Sequence, residues 1–173
     1  MSEIALFEDD FSIVIPRSAP SAQRNDLKGG IAAFNRLRPL IPLAQAKAVS
    51  GFMRDEEGQF FIDKMVELSN LVDAMPVTYQ QSEDPDPTAY LHYFHASGSD
   101  WYITEKDIEG EVHQCFGYAI LHGDLMCAEY GYISIAELVA LPGWPGVEMD
   151  FHFNPTRMSE VRKLLERKYG DHD

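Results

Sequence analysis

The feature that most constrains this fold is a run of four short aromatic segments between residues 89 and 133, joined by connections that each contain a glycine. Strands joined by turns of a few residues pair as antiparallel neighbours, since a parallel pair needs a crossover of a dozen residues or more. The pattern therefore predicts an antiparallel meander. Gly117 and Gly131 fall inside strands and predict bulges or close backbone approach. The predicted strands are residues 89–95, 100–106, 113–121 and 126–133.

A fifth strand is predicted at Val147–Phe153, where apolar and polar residues alternate without a break. This period places Glu148, Asp150 and His152 on one face, with successive side chains roughly 7 Å apart. The three groups could form a catalytic acid/base set, or Asp150 and His152 could bind a divalent cation. A polar strand face that meets water is the favoured alternative, because no HxxxH or HxxE motif completes a coordination shell. No metal or cofactor is predicted.

A long amphipathic helix is predicted over residues 55–75, with apolar residues at 4-3-4-3 spacing. Acidic residues lie at its N-terminal end and Pro76 follows its C-terminal end, as helix signals require. A stripe of this kind is typical of core packing or of an oligomer seam, so a homodimer through this helix stays an alternative. The stripe consists of Phe61, Met65, Leu68, Val72 and Met75.

Three further helices are indicated. One or two helical turns are predicted at Ile31–Leu37, ahead of two prolines that stop them. Ser134 and Glu137 match a capping box that opens a short helix. Asn154 is predicted to cap a final helix that carries Pro155 at its first position and basic residues in its last turns.

Together these elements predict an α+β fold in which a curved antiparallel sheet of about five strands lies between an N-terminal helical part and a C-terminal helix. The polar, proline-broken stretch Gln80–Pro87 marks the boundary between the two parts. We therefore divide the chain into an N-terminal extension, residues 1–80, and a sheet domain, residues 81–173. The two parts are expected to form one compact unit.

Negative charge is concentrated in the strand-rich half. The chain has 14 Lys and Arg against 28 Asp and Glu, a net charge of −14, and residues 81–150 hold one lysine against thirteen of those acids. This balance argues against general binding to a phosphate backbone. It is typical of a solvated, solubilising face or of a surface that docks on a basic protein where DNA would otherwise lie. The candidate partner-binding residues are Glu105, Asp107, Glu109, Glu111 and Glu129.

Common catalytic and membrane signatures are missing. The sequence has no P-loop and no GxGxxG, GxSxG, HExxH or CxxC motif. No apolar run approaches the ~20 residues of a membrane span, and no signal peptide is predicted. Two cysteines, Cys115 and Cys127, are too few for a disulfide scaffold and lie too far apart in the predicted hairpin to pair, so a cytoplasmic location is predicted. Cys115 shares a strand face with His113, but a buried small side chain is favoured over a nucleophile.

Several short motifs resemble one bacterial family. They are Asp86-Pro87-x-Ala89-Tyr90, Trp101-Tyr102-x-Thr104-Glu105, Phe116-Gly117-Tyr118, Glu129-Tyr130-Gly131-Tyr132-Ile133-Ser134, Glu137-Leu138 and Asp150-Phe151-His152-Phe153-x-Pro155. In this order they resemble the domain-of-unknown-function family numbered twenty-nine fifty-eight, common on plasmids, integrative elements and phages. The resemblance covers about residues 75–160, and family relatives more often have Leu where this chain has Tyr130. It implies a cytoplasmic accessory protein of mobile DNA and no established catalytic residues.

The leading functional hypothesis is a non-enzymatic, acidic accessory protein of mobile elements that binds a basic host or element-encoded partner. Such a partner would handle nucleic acid, as a defence nuclease does, whereas direct nucleic-acid binding and membrane binding are not expected. The alternative is a metal-dependent or acid/base enzyme centred on Glu148, Asp150 and His152. A third hypothesis is a structural subunit that dimerises through the 55–75 helix.

Overall fold

The computed structural model describes residues 25–56, 58–107, 114–141 and 146–170. These residues form N-terminal helices, an open five-stranded antiparallel sheet with a two-stranded side sheet, and a C-terminal helix. The predicted α+β fold is confirmed. None of the helices in the described ranges has both the length and the apolar character needed to cross a bilayer.

The elements follow one another in a simple order. The helices are α1 (Leu27–Leu37), α2 (Leu43–Phe52), α3 (Gly58–Ala74), α4 (Ile135–Val139) and α5 (Met158–Tyr169). The strands are β1 (Thr88–Ala89), β2 (Leu91–His95), β3 (Ser99–Glu105), β4 (Gln114–Ile120), β5 (Glu129–Ser134), β6 (Glu148–Met149) and β7 (Thr156–Arg157). The main sheet has the order β5-β4-β3-β2-β6, and β1 pairs with β7 in the side sheet.

The predicted meander is confirmed, since β2, β3, β4 and β5 are consecutive antiparallel neighbours. Strand β5 begins three residues later than predicted because the Asp124 carboxylate accepts the backbone N–H of Met126 at 2.9 Å and caps a 3₁₀ turn. Gly117 shows the predicted close approach, since a Cβ there would lie 2.3 Å from the Tyr102 carbonyl oxygen. At Gly131 a Cβ would meet nothing within 4 Å, and the register of β5 with β4 is regular there, so the prediction for that position is wrong.

Helix α3 confirms the long amphipathic helix, although it begins at Gly58 rather than at residue 55. Its stripe residues Met65, Leu68 and Val72 are buried in the same cluster as the apolar side chains of β2 and β3. The stripe is therefore core packing within one chain, because Met65 has no exposed surface to offer a second copy.

The two shorter N-terminal helices were predicted less well. Helix α1 has eleven residues, more than the one or two turns expected, and begins after Asp26, whose carboxylate accepts the Gly29 N–H at 2.7 Å. Helix α2 is not among the predicted elements, because the sequence analysis uses Pro39 and Pro42 only as signals that stop a helix. Proline is also common at the N-terminus of a helix, and the alanine-rich run that follows Pro42 favours helix.

The predicted strand at 147–153 is wrong beyond two residues. Glu148 and Met149 pair with Phe94 and Tyr93 of β2. The chain then turns, because the Asp150 carboxylate accepts the backbone N–H of His152 at 2.9 Å. This local side-chain bond competes with the sheet ladder, as aspartate commonly does in turns.

The predicted start of the final helix is also wrong. Asn154 is not its cap; residues 156–157 instead form β7, and α5 begins at Met158. The cap comes from a distant loop, since Asp86 accepts the Ser159 N–H at 2.7 Å and the Ser159 hydroxyl at 2.8 Å. A carboxylate at this end is favoured by the helix dipole.

The main sheet has two different faces. Leu91, Tyr93 and Ile103 project toward α1–α3 and form the larger apolar cluster. The opposite face, which we call the α5 face, packs against Val161 and Leu165 of α5. The register shifts between Ile103 and Glu105, as at a β-bulge, so the consecutive residues Thr104 and Glu105 share the α5 face. Strand alternation and register place the other side chains of this face: His92, Asp100, Tyr102, Phe116, Tyr118, Ile120, Tyr130 and Tyr132.

Candidate functional site

A cavity of about 430 Å³ opens on the α5 face, a size that suits a small organic ligand. Its floor is formed by the ends of β3, β4 and β5, and Arg162 of α5 closes one side. The segment of residues 78–87, which includes the predicted boundary stretch Gln80–Pro87, forms the other side. The described lining residues are Thr78, Tyr79, Gln81, Ser82, Asp84, Pro85, Pro87, Thr104, Glu105, Phe116, Tyr130, Tyr132 and Arg162.

Glu105 holds this segment against the sheet. Its two carboxylate oxygens accept the backbone N–H groups of Tyr79 and Gln81 at 3.0 and 2.5 Å. Tyr79 has a φ of 77°, a conformation that non-glycine residues adopt only under constraint. The buried carboxylate supplies that constraint, and Tyr79, which is 64% exposed, lines the cavity.

The start of α5 holds the outer part of the same segment. The Arg157 guanidinium donates to the Asp84 carboxylate at 2.6 Å and to the Asp86 carbonyl at 2.5 Å. The pKa of Asp84 lies below its ordinary value, because the Asp86 backbone N–H and then Arg157 bind the charged form. The capped helix and the loop therefore fix each other, and the cavity lies between them.

Aromatic rings form the apolar wall of the cavity. The Phe116 ring stacks on Tyr130 with centroids 6.0 Å apart and meets the edge of Tyr132 at 5.5 Å. The Tyr132 hydroxyl lies 3.1 Å from the Tyr79 hydroxyl, which bridges β5 and the 78–87 segment. Burial raises the pKa of Tyr130, although Arg162 partly opposes the shift. The Tyr130 hydroxyl therefore remains neutral near pH 7.

Arg162 brings a cation to this aromatic wall. Its guanidinium carbon lies 5.6 Å from the Tyr118 ring centroid and 5.5 Å from that of Tyr130, within cation–π range. Its Nη2 group also donates to the Tyr130 hydroxyl at 3.2 Å. These contacts hold the guanidinium plane beside the cavity.

A second polar cluster lies under the C-terminal end of α5. The His92 ring stacks on Tyr102 at 4.4 Å and lies between two carboxylates, with Nε2 2.8 Å from Asp100 and Nδ1 3.2 Å from Asp150. Both ring nitrogens can donate to these carboxylates only when the ring is doubly protonated. The α5 side chains of Lys168 and Tyr169 reach Asp100 at 3.1 and 2.8 Å.

Asp100 is the centre of this cluster and its side chain has no exposed surface. Burial alone would raise the pKa of this carboxyl, but hydrogen bonds from His92, Tyr169 and Lys168 outweigh it and hold the pKa below its ordinary value. The described residues of this cluster do not line the cavity. The hydrogen bonds of Asp100 connect β2, β3 and α5.

The structure does not bring the three predicted catalytic residues together. Glu148 is exposed at the edge of the sheet, and Asp150 turns toward His92. His152 instead stacks against Phe60 of α3, with ring centroids 6.1 Å apart. The predicted common face is lost because the strand ends at Met149.

The predicted partner-binding acids are also divided. Glu105 is only 4% exposed, and its carboxylate holds the cavity wall. The prediction that it lies on a docking surface is therefore wrong. Asp107, which follows β3, is half-buried. Glu129 is exposed at the start of β5, where it pairs with Ala119 near the end of β4. Glu109 and Glu111 lie outside the described residues.

Neither cysteine forms a disulfide, in agreement with the sequence. Cys115 is fully buried, and burial raises the pKa of its thiol to about 12, which disfavours the reactive thiolate. His113, its predicted neighbour, lies outside the described residues. Cys127 is exposed, but its hydrogen bond to Asp124 raises the pKa of that thiol as well.

Within the described ranges, no group of three or more His, Cys, Asp or Glu side chains is arranged to hold a metal ion. Comparison of the chain with protein-family models, with curated proteins and with solved structures yields no match. The resemblance to the mobile-element family therefore stays a prediction, and the site is interpreted from its own geometry.

The sequence did not identify Arg162, Tyr79 or the cavity itself. Arg162 was one of several basic residues on a surface helix, and Tyr79 preceded a presumed linker. The available signal was the i, i+4 spacing of Met158 and Arg162, since it places the arginine beside a buried position of α5.

Proposed function

We propose that this protein is a binding module that takes a small organic molecule in the cavity on the α5 face. One observation carries the proposal: a 430 Å³ cavity with an aromatic wall, a fixed arginine and a buried carboxylate, assembled from segments far apart in sequence. Ligand sites are typically concave and mainly apolar, with a few convergent polar groups.

The proposal is tested by filling the cavity. Ser82 is exposed and lines the cavity, so Ser82→Trp should block it without disturbing the core. Glu83→Trp is the matched control, because Glu83 is the exposed neighbour that does not line the cavity. A library of aromatic fragments is screened by ligand-observed NMR. Fragments should bind the wild type and Glu83→Trp but not Ser82→Trp; fragments that bind all three equally, or none at all, would contradict the proposal.

A cytoplasmic protein-binding role remains a second proposal. It is supported by the one lysine against thirteen acids in residues 81–150, by the exposed carboxylate of Glu129 and by two cysteines that do not form a disulfide with each other. The family resemblance adds the expectation of an accessory protein from mobile DNA with a basic partner. Because Glu105 is buried, the docking residues of this proposal reduce to Asp107, Glu109, Glu111 and Glu129.

Charge reversal tests the second proposal. The fourfold Lys variant at these four positions should lose a salt-sensitive complex with a basic protein that the wild type retains at low ionic strength. Glu56→Lys, Glu67→Lys, Glu137→Lys and Glu160→Lys form a matched fourfold control of exposed acids. Equal binding by the two fourfold variants would exclude the proposed surface.

A further inference from the structure

The hydroxyl and amide groups that line the cavity are already engaged by the protein. Thr78 and Thr104 donate to backbone carbonyls at 2.9 and 3.1 Å, and Ser82 donates to a carbonyl at 2.7 Å. The Gln81 amide donates twice to backbone carbonyls and accepts from the Thr88 N–H. Among the described residues, no buried side-chain nitrogen or oxygen lacks a partner.

The two lining carboxylates are engaged as well. Both oxygens of Glu105 accept backbone N–H groups, and Asp84 accepts from the Asp86 N–H at 3.0 Å and from Arg157 at 2.6 Å. Every carboxylate oxygen facing the cavity thus already has a donor. A cationic ligand would have to share each of these oxygens with the donor that it already binds.

Arg162 is different, because most of its hydrogen-bonding capacity remains open. A guanidinium has five N–H donors, and within the described part of the chain one of them is used, on the Tyr130 hydroxyl. Arg162 is also the one cation among the described lining residues. Planar guanidinium groups pair with carboxylates and phosphates through two parallel bonds.

The rest of the lining selects the shape of the ligand. Phe116, Tyr130 and Tyr132 present ring faces and edges, and Pro85 and Pro87 lie across from them on the 78–87 segment. A flat ring fits such a wall through stacked and edge contacts.

Resting on the proposed function, we propose that the cavity binds a small aromatic anion. Its ring lies among Phe116, Tyr130 and Tyr132, and its carboxylate or phosphate group accepts hydrogen bonds from the open donors of Arg162. The chemistry shared by both anions is an oxyanion one short linker away from the ring.

The test uses probes that separate the ring from the charge. 3-Phenylpropionate carries both; 3-phenylpropanamide and 3-phenylpropylamine keep the ring but are neutral and cationic; 3-cyclohexylpropionate keeps the charge without the aromatic ring. Phenyl phosphate tests the second oxyanion. Dissociation constants are measured by NMR titration at constant low ionic strength.

The expected result is that 3-phenylpropionate or phenyl phosphate binds about 10- to 100-fold more tightly than the amide and the amine, the range for charge-assisted hydrogen bonds. Whichever anion binds more tightly identifies the oxyanion. Arg162→Gln should abolish this preference, while Arg167→Gln, a matched change on the same helix outside the cavity, should keep it.

Each of the other outcomes contradicts a different part of the proposal. If the amide or the amine binds as tightly as the anions, or if Arg162→Gln keeps the preference, the proposed ligand class is wrong while the cavity remains a binding site. If 3-cyclohexylpropionate binds as tightly as 3-phenylpropionate, the aromatic requirement is wrong. If no probe binds and Ser82→Trp changes nothing in the fragment screen, the proposed function itself fails.

Discussion

The two faces of the main sheet are built from the same strands but are stabilised in opposite ways. The face toward α1–α3 is apolar, and its residues belong to one large cluster in which many side chains each contribute a share. The α5 face carries Asp100, Thr104 and Glu105, all buried and all hydrogen-bonded. Its apolar cluster is small, so specific polar contacts hold α5 and the 78–87 segment in place.

The two faces therefore have different roles: the apolar face contributes stability, and the α5 face leaves space for a ligand. A continuous apolar core leaves no space for a ligand. On the α5 face, a few polar bonds attach the 78–87 segment to the edge of the sheet, and a cavity remains between this segment, the sheet and α5. Substitutions on the two faces should therefore differ in size, in pH dependence and in their effect on ligand binding.

The largest effect is expected for Asp100→Asn. It removes the carboxylate shared by His92, Lys168 and Tyr169 and should lower the free energy of unfolding by about 3 to 5 kcal/mol, the range for breaking a buried ion pair. Urea unfolding of the wild type and the variant at pH 7 measures this loss.

The same pair of proteins gives a pH test. Because the folded-state pKa of Asp100 lies below its unfolded-state value, its stabilisation is complete above about pH 4 and is lost as the pH falls through the folded-state pKa. The difference in unfolding free energy between wild type and Asp100→Asn should therefore shrink between pH 5 and pH 3. A difference that stays constant over this range would contradict the role given to Asp100.

Met65→Ala probes the opposite face and should destabilise the protein by about 2 to 5 kcal/mol, because it leaves a cavity at a fully buried position of α3. No titratable group is removed, so the loss should be the same at pH 5 and at pH 7. Ligand binding, measured under conditions in which both proteins are fully folded, should not change. A loss below about 1 kcal/mol would show that this core repacks readily, and tight apolar packing would then not be what stabilises this face of the sheet.

Glu105→Gln tests the buried carboxylate that the sequence assigned to a docking surface. The substitution places an amide group against one of two backbone donors, and the expected loss is about 1.5 to 3 kcal/mol. Glu129→Gln is the matched control on an exposed position and should change stability by about 0.5 kcal/mol or less. Equal effects of the two variants, measured by thermal unfolding, would place Glu105 on the surface after all.

The contrast between the faces also explains what could be predicted from the sequence. Alternation and turn glycines gave the meander, and apolar spacing gave α3, because both depend on local patterns in which each residue faces core or solvent. The end of β6 was missed, since the Asp150 carboxylate binds its own backbone two residues on and overrides the alternation. The cap of α5 was missed because Asp86 lies 73 residues before Ser159 in the chain.

The candidate site was harder to predict for the same reason. Glu105 has the local sequence of an exposed acid in a charged stretch. It is buried because the 78–87 segment packs against the end of β3. The cavity depends on where that segment and α5 lie relative to the sheet. Neither relation is encoded in the spacing of neighbouring residues, so motif analysis selected Glu148, Asp150 and His152 instead.

The smallest effect on stability is expected for Arg162→Gln. The exposed guanidinium contributes cation–π contacts with Tyr118 and Tyr130 and one hydrogen bond, so its loss should cost only about 0.5 to 1 kcal/mol. This small cost, set against the expected loss of anion preference, distinguishes Arg162 from Asp100, although each takes part in contacts between α5 and the same sheet face. Arg167→Gln, a change on the same helix outside the cavity, should leave the anion preference unchanged, as measured by NMR titration. If Arg162→Gln instead loses more than about 2 kcal/mol, the guanidinium supports the fold, and weaker binding by that variant would no longer identify a ligand contact.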